Sequence, residues 1–227
     1  MIYNQDNSNL IIIEKKNEVY ITVDCDSGVQ REISEFFTFY VPGYKFMPAF
    51  RNRMWDGKIR LFSQKTKEIY FGLYPYIKAF AEERGYNIVA GKDIDIDNKV
   101  DRDVVTKFSN SLGQKFEARD YQIDAIFHSL KRNRALLVSP TASGKSFIIY
   151  SLIRYYSHLI KEESNNRILL IVPTTSLVEQ MYTDFESYGW NVKKNCHRLY
   201  SGYSNQTDKK VLISTWQSLY KLPKEYF

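Results

Sequence analysis

The chain has 227 residues, with 32 lysines and arginines against 26 aspartates and glutamates, and this length allows one or two domains, of which we expect two. Two cysteines and three histidines are too few and too scattered for a disulfide framework or a zinc site. The N-terminus lacks the basic region of a signal peptide, and the apolar run at residues 10–13 is too short to span a membrane, so we expect a cytoplasmic protein.

Charge is unevenly distributed along the chain. Residues 1–105 hold 15 basic against 16 acidic residues, whereas residues 106–227 hold 17 against 10. Within the first part, residues 44–67 contain Asp56 as their only acid and the following cations: Lys45, Arg51, Arg53, Lys58, Arg60, Lys65 and Lys67. Clustered cations favour a polyanionic partner, because neutralising phosphates releases counterions.

The first hundred residues predict a small α+β domain. Short alternating apolar runs, a helical apolar pattern and turn residues indicate these elements: a hairpin at 10–13 and 18–23, a helix over 29–37, strands at 58–62 and 68–73, and a helix over 75–84 closed by Gly85. In the strand at 58–62, alternation places Lys58 and Arg60 on a basic face and predicts that Ile59 and Leu61 pack. The acidic stretch 92–99 is typical of a linker.

From residue 116 onward, helices and strands alternate, which is typical of a parallel sheet covered by helices. The predicted elements are a helix at 119–131, a strand at 135–139, a helix at 145–159, a strand at 167–172, a helix at 176–188 and a strand at 210–214. Ser176 and Glu179 have the spacing of a capping box for the helix at 176–188. We therefore expect an α/β domain over residues 101–227.

Residues 139–146 read Ser-Pro-Thr-Ala-Ser-Gly-Lys-Ser between an apolar run and an apolar helix. A phosphate-binding loop needs converging backbone N–H groups before a helix N-terminus, a lysine on the β and γ oxygens and a hydroxyl on Mg²⁺. Lys145 and Ser146 fit the last two roles, while Ser139 replaces the usual first glycine. The alternative is a chance Gly-Lys-Ser at a strand-to-helix turn, and the flanking segments favour the loop.

Four segments in order resemble the motifs of superfamily 2 helicases. Residues 140–146 resemble motif I, in which Pro-Thr-Gly-Ser-Gly-Lys-Thr is common and Ala142 here takes the place of a glycine. Residues 116–122 resemble the Arg-x-x-Gln segment that contacts adenine, residues 172–180 motif Ia, and residues 212–219 a later threonine-containing motif. Each match other than the loop is weak alone, but the four together are specific.

This resemblance implies a RecA-like parallel sheet with flanking helices, which forms an incomplete first motor lobe. It also implies that the motor uses ATP and Mg²⁺. The implied catalytic residues are Lys145 and Ser146, and Ser146 is the implied Mg²⁺ ligand. The implied nucleotide-binding set also includes Arg119, Gln122, Ser139, Pro140, Thr141, Ala142, Ser143 and Gly144. Thr174 and Thr215 are implied to hold nucleic-acid phosphates without reading base sequence.

Residues 44–62, placed ahead of this motor, resemble the N-terminal domain of recombination and repair helicases of T-even bacteriophages. That resemblance covers the whole chain and implies 3′ to 5′ unwinding and branch migration of forked or Holliday-type DNA and R-loops, so the partners are duplex, forked or branched DNA and RNA–DNA hybrids. It further implies a monomer without membrane association in the host-cell cytoplasm, with roles in recombination, repair and replication.

Within the small domain, cations alternate with aromatic rings in a pattern suited to tracking phosphates and stacking on bases. The predicted nucleic-acid contacts there are Arg51, Arg53, Trp55, Lys58 and Arg60. The alternative is a solvated basic face over an aromatic core, with residues 55–57 serving only as a turn.

A superfamily 2 motor also needs an Asp-Glu-x-His/Asp segment and arginine fingers from a second lobe. We find neither in the sequence and therefore expect the N-terminal fragment of a longer enzyme, inactive in ATP turnover by itself. Two other hypotheses remain open: a restriction-type DNA translocase subunit, and a nucleic-acid-binding module without ATPase activity.

Overall fold

The computed structural model describes residues 9–94, 98–161, 164–223 and 226. Two compact units divide the chain, an N-terminal unit, Met1–Ile96, and a C-terminal unit, Asp97–Phe227. The boundary falls within the acidic stretch 92–99, of which residues 95–97 lie outside the described residues. None of the helices in the described part of the chain combines the length and apolar character needed to cross a membrane.

The N-terminal unit is an α+β fold. Its strands are β1 (Leu10–Lys15), β2 (Tyr20–Asp24), β3 (Thr38–Tyr40), β4 (Lys58–Arg60), β5 (Glu68–Tyr70) and β6 (Asn87–Ala90). Its helices are α1 (Ser27–Phe36), α2 (Pro48–Arg51) and α3 (Tyr74–Arg84). The main sheet has the order β5-β2-β1-β6, in which only β1 and β6 pair in parallel. The predicted hairpin and both predicted helices are confirmed.

Period-two alternation explains how this sheet forms a core. In β1, Ile11 and Ile13 are buried whereas Ile12 is exposed, because successive side chains point to opposite faces. The buried face packs in one cluster with Ile33 of α1 and Phe80 of α3. The helix α3 ends at Gly85, whose positive φ of 73° closes the helix without steric strain.

The strands β3 and β4 form a separate two-stranded antiparallel ladder. The prediction that Ile59 packs was wrong, because its side chain is 40% exposed. Because β4 pairs with β3 and is not part of the main sheet, neither face of this strand packs against the main core. Leu61, just beyond the ladder, does contact the core.

The C-terminal unit is an α/β fold with a parallel sheet. Its helices are α4 (Arg102–Asn110), α5 (Asp120–Arg132), α6 (Lys145–Leu159), α7 (Thr175–Ser187), α8 (Val192–Asn195) and α9 (Trp216–Leu219). Its strands are β7 (Ile168–Val172), β8 (Cys196–Leu199) and β9 (Val211–Thr215), in the order β7-β9-β8 and all parallel. All five residues of the central strand β9 are buried, as expected when helices cover the sheet. This is a RecA-like partial lobe.

The strand predicted at residues 135–139 is absent, because these residues have no regular secondary structure. Leu136 and Val138 are 86% and 91% exposed. No strand among the described residues pairs with this run, and apolar composition does not form a strand when the backbone N–H and C=O groups lack a partner.

The predicted capping box at Ser176 was also wrong. The helix α7 begins one residue earlier, and Thr174 is its N-cap, with a hydroxyl that accepts from the Leu177 amide at 3.3 Å. Glu179 instead accepts from Arg198 at 2.6 Å and from the Tyr200 hydroxyl at 2.7 Å. A tertiary contact therefore takes the carboxylate that the local pattern assigned to the helix start.

Candidate nucleotide-binding loop and nucleic-acid interface

Residues 139–144 form a loop that leads directly into α6. Gly144 is the N-cap of this 15-residue helix and has a φ of 76°. The first backbone N–H groups of a helix have no intrahelical partner, and the helix dipole adds a partial positive charge at the same end. The loop therefore ends at a site that favours an anion, as the sequence predicts.

Lys145 lies across this loop. Its Nζ atom donates to the carbonyl oxygens of Ser139 at 3.2 Å and Pro140 at 2.6 Å. Ser146 occupies the first turn of α6 and is half-buried. An ammonium group held by neutral carbonyls gains when a phosphate becomes its acceptor, because the phosphate carries a negative charge that attracts it. The residues present thus fit a Mg²⁺-nucleotide.

The start of α5 supports the back of the loop. The carbonyl oxygen of Ser143 accepts from Gln122 Nε2 at 3.2 Å and from the Tyr121 hydroxyl at 2.9 Å. The amide oxygen of Gln122 accepts from the Arg119 backbone N–H at 3.0 Å, and Gln122 is only 5% exposed. Both ends of this amide are therefore engaged with protein atoms, and the contact of Gln122 with adenine stays a prediction.

Sequence reasoning missed Tyr121. Its hydroxyl donates to Ser143 and accepts from the Arg119 guanidinium at 3.0 Å, so it links the predicted Arg119 to the loop. The only signal in the sequence is its position between Arg119 and Gln122. Arg119, Tyr121 and residues 139–143 line one cleft of about 720 Å³, whereas Gln122, Gly144, Lys145 and Ser146 lie outside its lining.

Two departures from the common motif I sequence have visible consequences. Ser139, in place of the first glycine, pairs through its hydroxyl with the hydroxyl of Ser143 across the loop. Ala142, in place of a second glycine, has a φ of 63°, in the left-handed region that glycine occupies at lower cost. Pro140 and Thr141 lie on the exposed rim between these positions.

Thr174 and Thr215 lie at the same edge of the parallel sheet. Thr174 follows β7, Thr215 is the last residue of the adjacent strand β9, and Val172 of β7 is in register with Thr215. Thr174 caps α7, while Thr215 is buried and shares a hydrogen bond of 3.0 Å with Ser218. The hydroxyls of both threonines contact the protein in this structure, so their contact with nucleic-acid phosphates stays a prediction.

The predicted contacts of the N-terminal unit divide into two groups. Arg60 pairs with the Asp56 carboxylate, and this contact lowers the pKa of Asp56 to about 2. Lys58 lies with its Nζ 4.9 Å from the centre of the Tyr40 ring, and Trp55 Nε1 donates to the Lys58 carbonyl oxygen at 2.8 Å. Arg60, Lys58 and Trp55 are thus partly engaged within the segment.

Arg51 and Arg53 form the other group. Both side chains are exposed, and neither is in an ion pair with any residue the structure describes. A guanidinium without a carboxylate partner can bind a phosphate without first breaking an ion pair. The structure therefore makes Arg51 and Arg53 the strongest candidates among the predicted phosphate contacts of this unit.

Models of known protein families match segments of both units. The model of the family "DNA helicase UvsW, N-terminal" matches residues 11–91, and that of "Type III restriction enzyme, res subunit" matches residues 115–226. The ATP-dependent DNA helicase uvsW of Enterobacteria phage T4 is 34% identical over 217 residues, which are 92% of this chain and 42% of that protein. The chain thus spans less than half the length of that relative.

Solved structures agree with the sequence comparisons. A crystal structure of the UvsW helicase from bacteriophage T4 matches with a TM-score of 0.81 and 33% identity, covering 96% of this chain and 78% of that one. A second T4 UvsW structure matches with the same TM-score over 95% of this chain and 44% of that one. The chain therefore belongs to the UvsW family of superfamily 2 helicases.

Proposed function

We propose that this chain supplies the nucleotide-binding and DNA-binding parts of an ATP-dependent DNA helicase. The observation that carries the proposal is the loop at the start of α6, where Lys145 lies over two carbonyl groups and Gln122 and Tyr121 hold the loop from behind. The printed name of the T4 relative, an ATP-dependent DNA helicase, supports the same reaction.

The start of α6 and the start of α5 have separate roles in this proposal. The backbone N–H groups at the start of α6 bind the β-phosphate, Lys145 neutralises the β and γ oxygens, and the Ser146 hydroxyl ligates Mg²⁺. Bound Mg²⁺ supplies charge neutralisation on the phosphates. Arg119 and Gln122 lie on the other side of the loop and are the proposed contacts of adenine.

The first test measures binding and turnover separately. We expect residues 1–227 to bind Mg²⁺-ATP but not to hydrolyse it, because phosphoryl transfer also needs a carboxylate that holds Mg²⁺ and an arginine finger. Titration with a fluorescent ATP analogue measures the first property, and phosphate release with and without DNA the second. Phosphate release that DNA stimulates would contradict the proposed inactivity, and absence of binding would contradict the proposed nucleotide site.

We further propose that the enzyme acts as a monomer on forked or branched DNA and R-loops, in recombination, repair and replication. The N-terminal unit supports this choice, since its match to the UvsW N-terminal family accompanies a basic, aromatic segment suited to DNA. A restriction-type translocase is the second candidate, favoured by the match over residues 115–226. In a longer protein that hydrolyses ATP, strand separation of a fork without DNA cleavage distinguishes the two.

DNA binding by the N-terminal unit is tested by charge reversal. Arg51→Glu, Arg53→Glu and Lys58→Glu each remove a proposed phosphate contact, so we expect weaker duplex binding and a salt slope reduced by about 0.9 per contact. Fluorescence anisotropy between about 50 and 200 mM salt measures both quantities. Lys78→Glu, an exposed lysine on α3, is the matched control. Unchanged affinity at low salt in all three variants would refute this interface.

A further inference from the structure

The segment from β3 to β4, residues 38–60, is a small projection with its own packing. Among these residues only Gly57 is buried. The rings of Tyr40 and Tyr44 stack with centres 4.7 Å apart, and Phe50 meets Tyr44 edge-on at 4.7 Å. Gly57 lies under the Tyr44 ring, where an added Cβ would come within 2.3 Å of a ring carbon. Ring packing and the β3–β4 ladder, rather than the unit's main core, therefore hold the projection together.

A cleft of about 600 Å³ opens in this projection. Its lining combines three apolar side chains with three cations: Phe50, Met54 and Trp55, and Lys45, Arg51 and Arg53. Met54 is 79% exposed, although burying a large apolar side chain away from water lowers the free energy. Exposed apolar groups rimmed by charge are typical of a binding surface.

The remaining lining residue, Asp56, does not neutralise these cations. Its carboxylate pairs with Arg60, which lies outside the lining of the cleft. The mouth of the cleft therefore keeps the positive charge of Arg51 and Arg53, and its ligand is an anion that also presents an apolar surface. A nucleotide unit of DNA combines a phosphate with a planar base in this way.

Arg53 provides an independent observation. It has a φ of 58°, a conformation that strains a non-glycine residue and that glycine adopts freely. It follows α2, at a position where the chain reverses and the Arg53 amide donates to the Phe50 carbonyl at 2.9 Å. An arginine in this conformation costs stability and directs a guanidinium to the cleft, which points to a role for that side chain beyond the fold.

We propose that this cleft takes one unstacked base of DNA at a fork, with the base on Trp55 beside Met54 and the flanking phosphates on Arg51 and Arg53. This inference rests on the proposed DNA-binding function and names the part of the DNA that is recognised. The Trp55 N–H already donates to Lys58, so the ring offers its face rather than a hydrogen bond, and any base fits. Continuous duplex offers no such base.

The experiment compares a fork carrying 2-aminopurine at the branch with a blunt duplex of the same length. We expect binding of the chain to quench the branch fluorophore, because stacking on an aromatic ring quenches it. Trp55→Leu should abolish the quenching and lower fork affinity by about tenfold, a larger loss than the same variant shows on the blunt duplex. Trp55→Phe keeps a ring and should retain the quenching.

Further variants guard against misfolding and separate this inference from the proposed function. Met54→Ala changes an exposed side chain and should weaken binding to the fork but not to the duplex. Tyr76→Ala replaces an exposed tyrosine on α3 and should change the affinity for neither fork nor duplex. Arg53→Gly should weaken fork binding without lowering the thermal midpoint, because it relieves the positive φ. Equal losses on fork and duplex in Trp55→Leu and Met54→Ala, or full quenching by both variants, would overturn the base-binding cleft. Absence of all DNA binding by the wild-type chain would instead remove the proposed function.

Discussion

We expect Lys145→Ala to lower the affinity of the chain for Mg²⁺-ATP by about ten- to a hundredfold, which corresponds to the loss of hydrogen bonds to charged groups. In the wild-type structure the Lys145 ammonium contacts only two loop carbonyls among the described residues, so it can turn to a phosphate without breaking an ion pair. The substitution should leave the fold intact, since the side chain is exposed. Titration with a fluorescent ATP analogue measures the effect.

The matched control for Lys145→Ala is Lys107→Ala, which removes an exposed lysine from α4 at a distance in sequence from the loop. We expect this control to bind Mg²⁺-ATP like the wild type. Duplex binding should be unchanged in both variants, because the proposed DNA contacts of the N-terminal unit do not include either lysine. In a longer protein that hydrolyses ATP, Lys145→Ala should abolish turnover. Equal affinities for Mg²⁺-ATP in wild type and Lys145→Ala would exclude the assigned role.

Gly144→Ala disrupts the loop by two separate effects. A non-glycine residue at a φ of 76° costs roughly 1–2 kcal/mol. The new Cβ would also lie 2.3 Å from Gln122 Nε2, so Gln122 must move and lose its hydrogen bond to Ser143. We expect the free energy of unfolding of the C-terminal unit to fall by about 2 kcal/mol. Nucleotide affinity should fall at least tenfold, and denaturant titration with ATP-analogue binding measures both.

Ala142→Gly is the matched control, because it makes the opposite change two residues away in the same loop. Ala142 has a φ of 63°, so glycine relieves strain there and the free energy of unfolding should rise by up to about 1 kcal/mol. Nucleotide binding should be retained. A loss of stability in Ala142→Gly comparable to that in Gly144→Ala would show that loop composition, and not left-handed conformation, determines the effect.

Helices whose ends carry a clear glycine signal were predictable from the sequence. The helix predicted at 145–159 has the bounds of α6, since Phe147, Ile148 and Tyr150 are each buried and the glycine before Lys145 marks its start. The helix closed by Gly85 was also confirmed, with a one-residue difference at its start. In both helices the glycine at one end is a local signal, and the tertiary contacts agree with it.

Elements that depend on distant partners were predicted less well. The short strand β8 was missed, because four residues of mixed polarity carry little pattern, and β9 supplies the ladder that forms it. The run at 135–139 has the composition of a strand but has no strand partner among the described residues. Strand formation requires backbone groups on a neighbouring strand, and local composition does not specify them.

The sequence by itself determined the phosphate loop, from Ser139 to Ser146, and the order of the motifs around it, because these are local patterns of residue type and spacing. The tertiary structure alone decided which of the charged and polar side chains remain available to contact a ligand. It paired Arg60 with Asp56, left Arg51 and Arg53 exposed, and placed Tyr121 behind the loop. Charge and hydrogen-bonding capacity belong to residue type, whereas their availability depends on the neighbours that folding brings within a few ångströms.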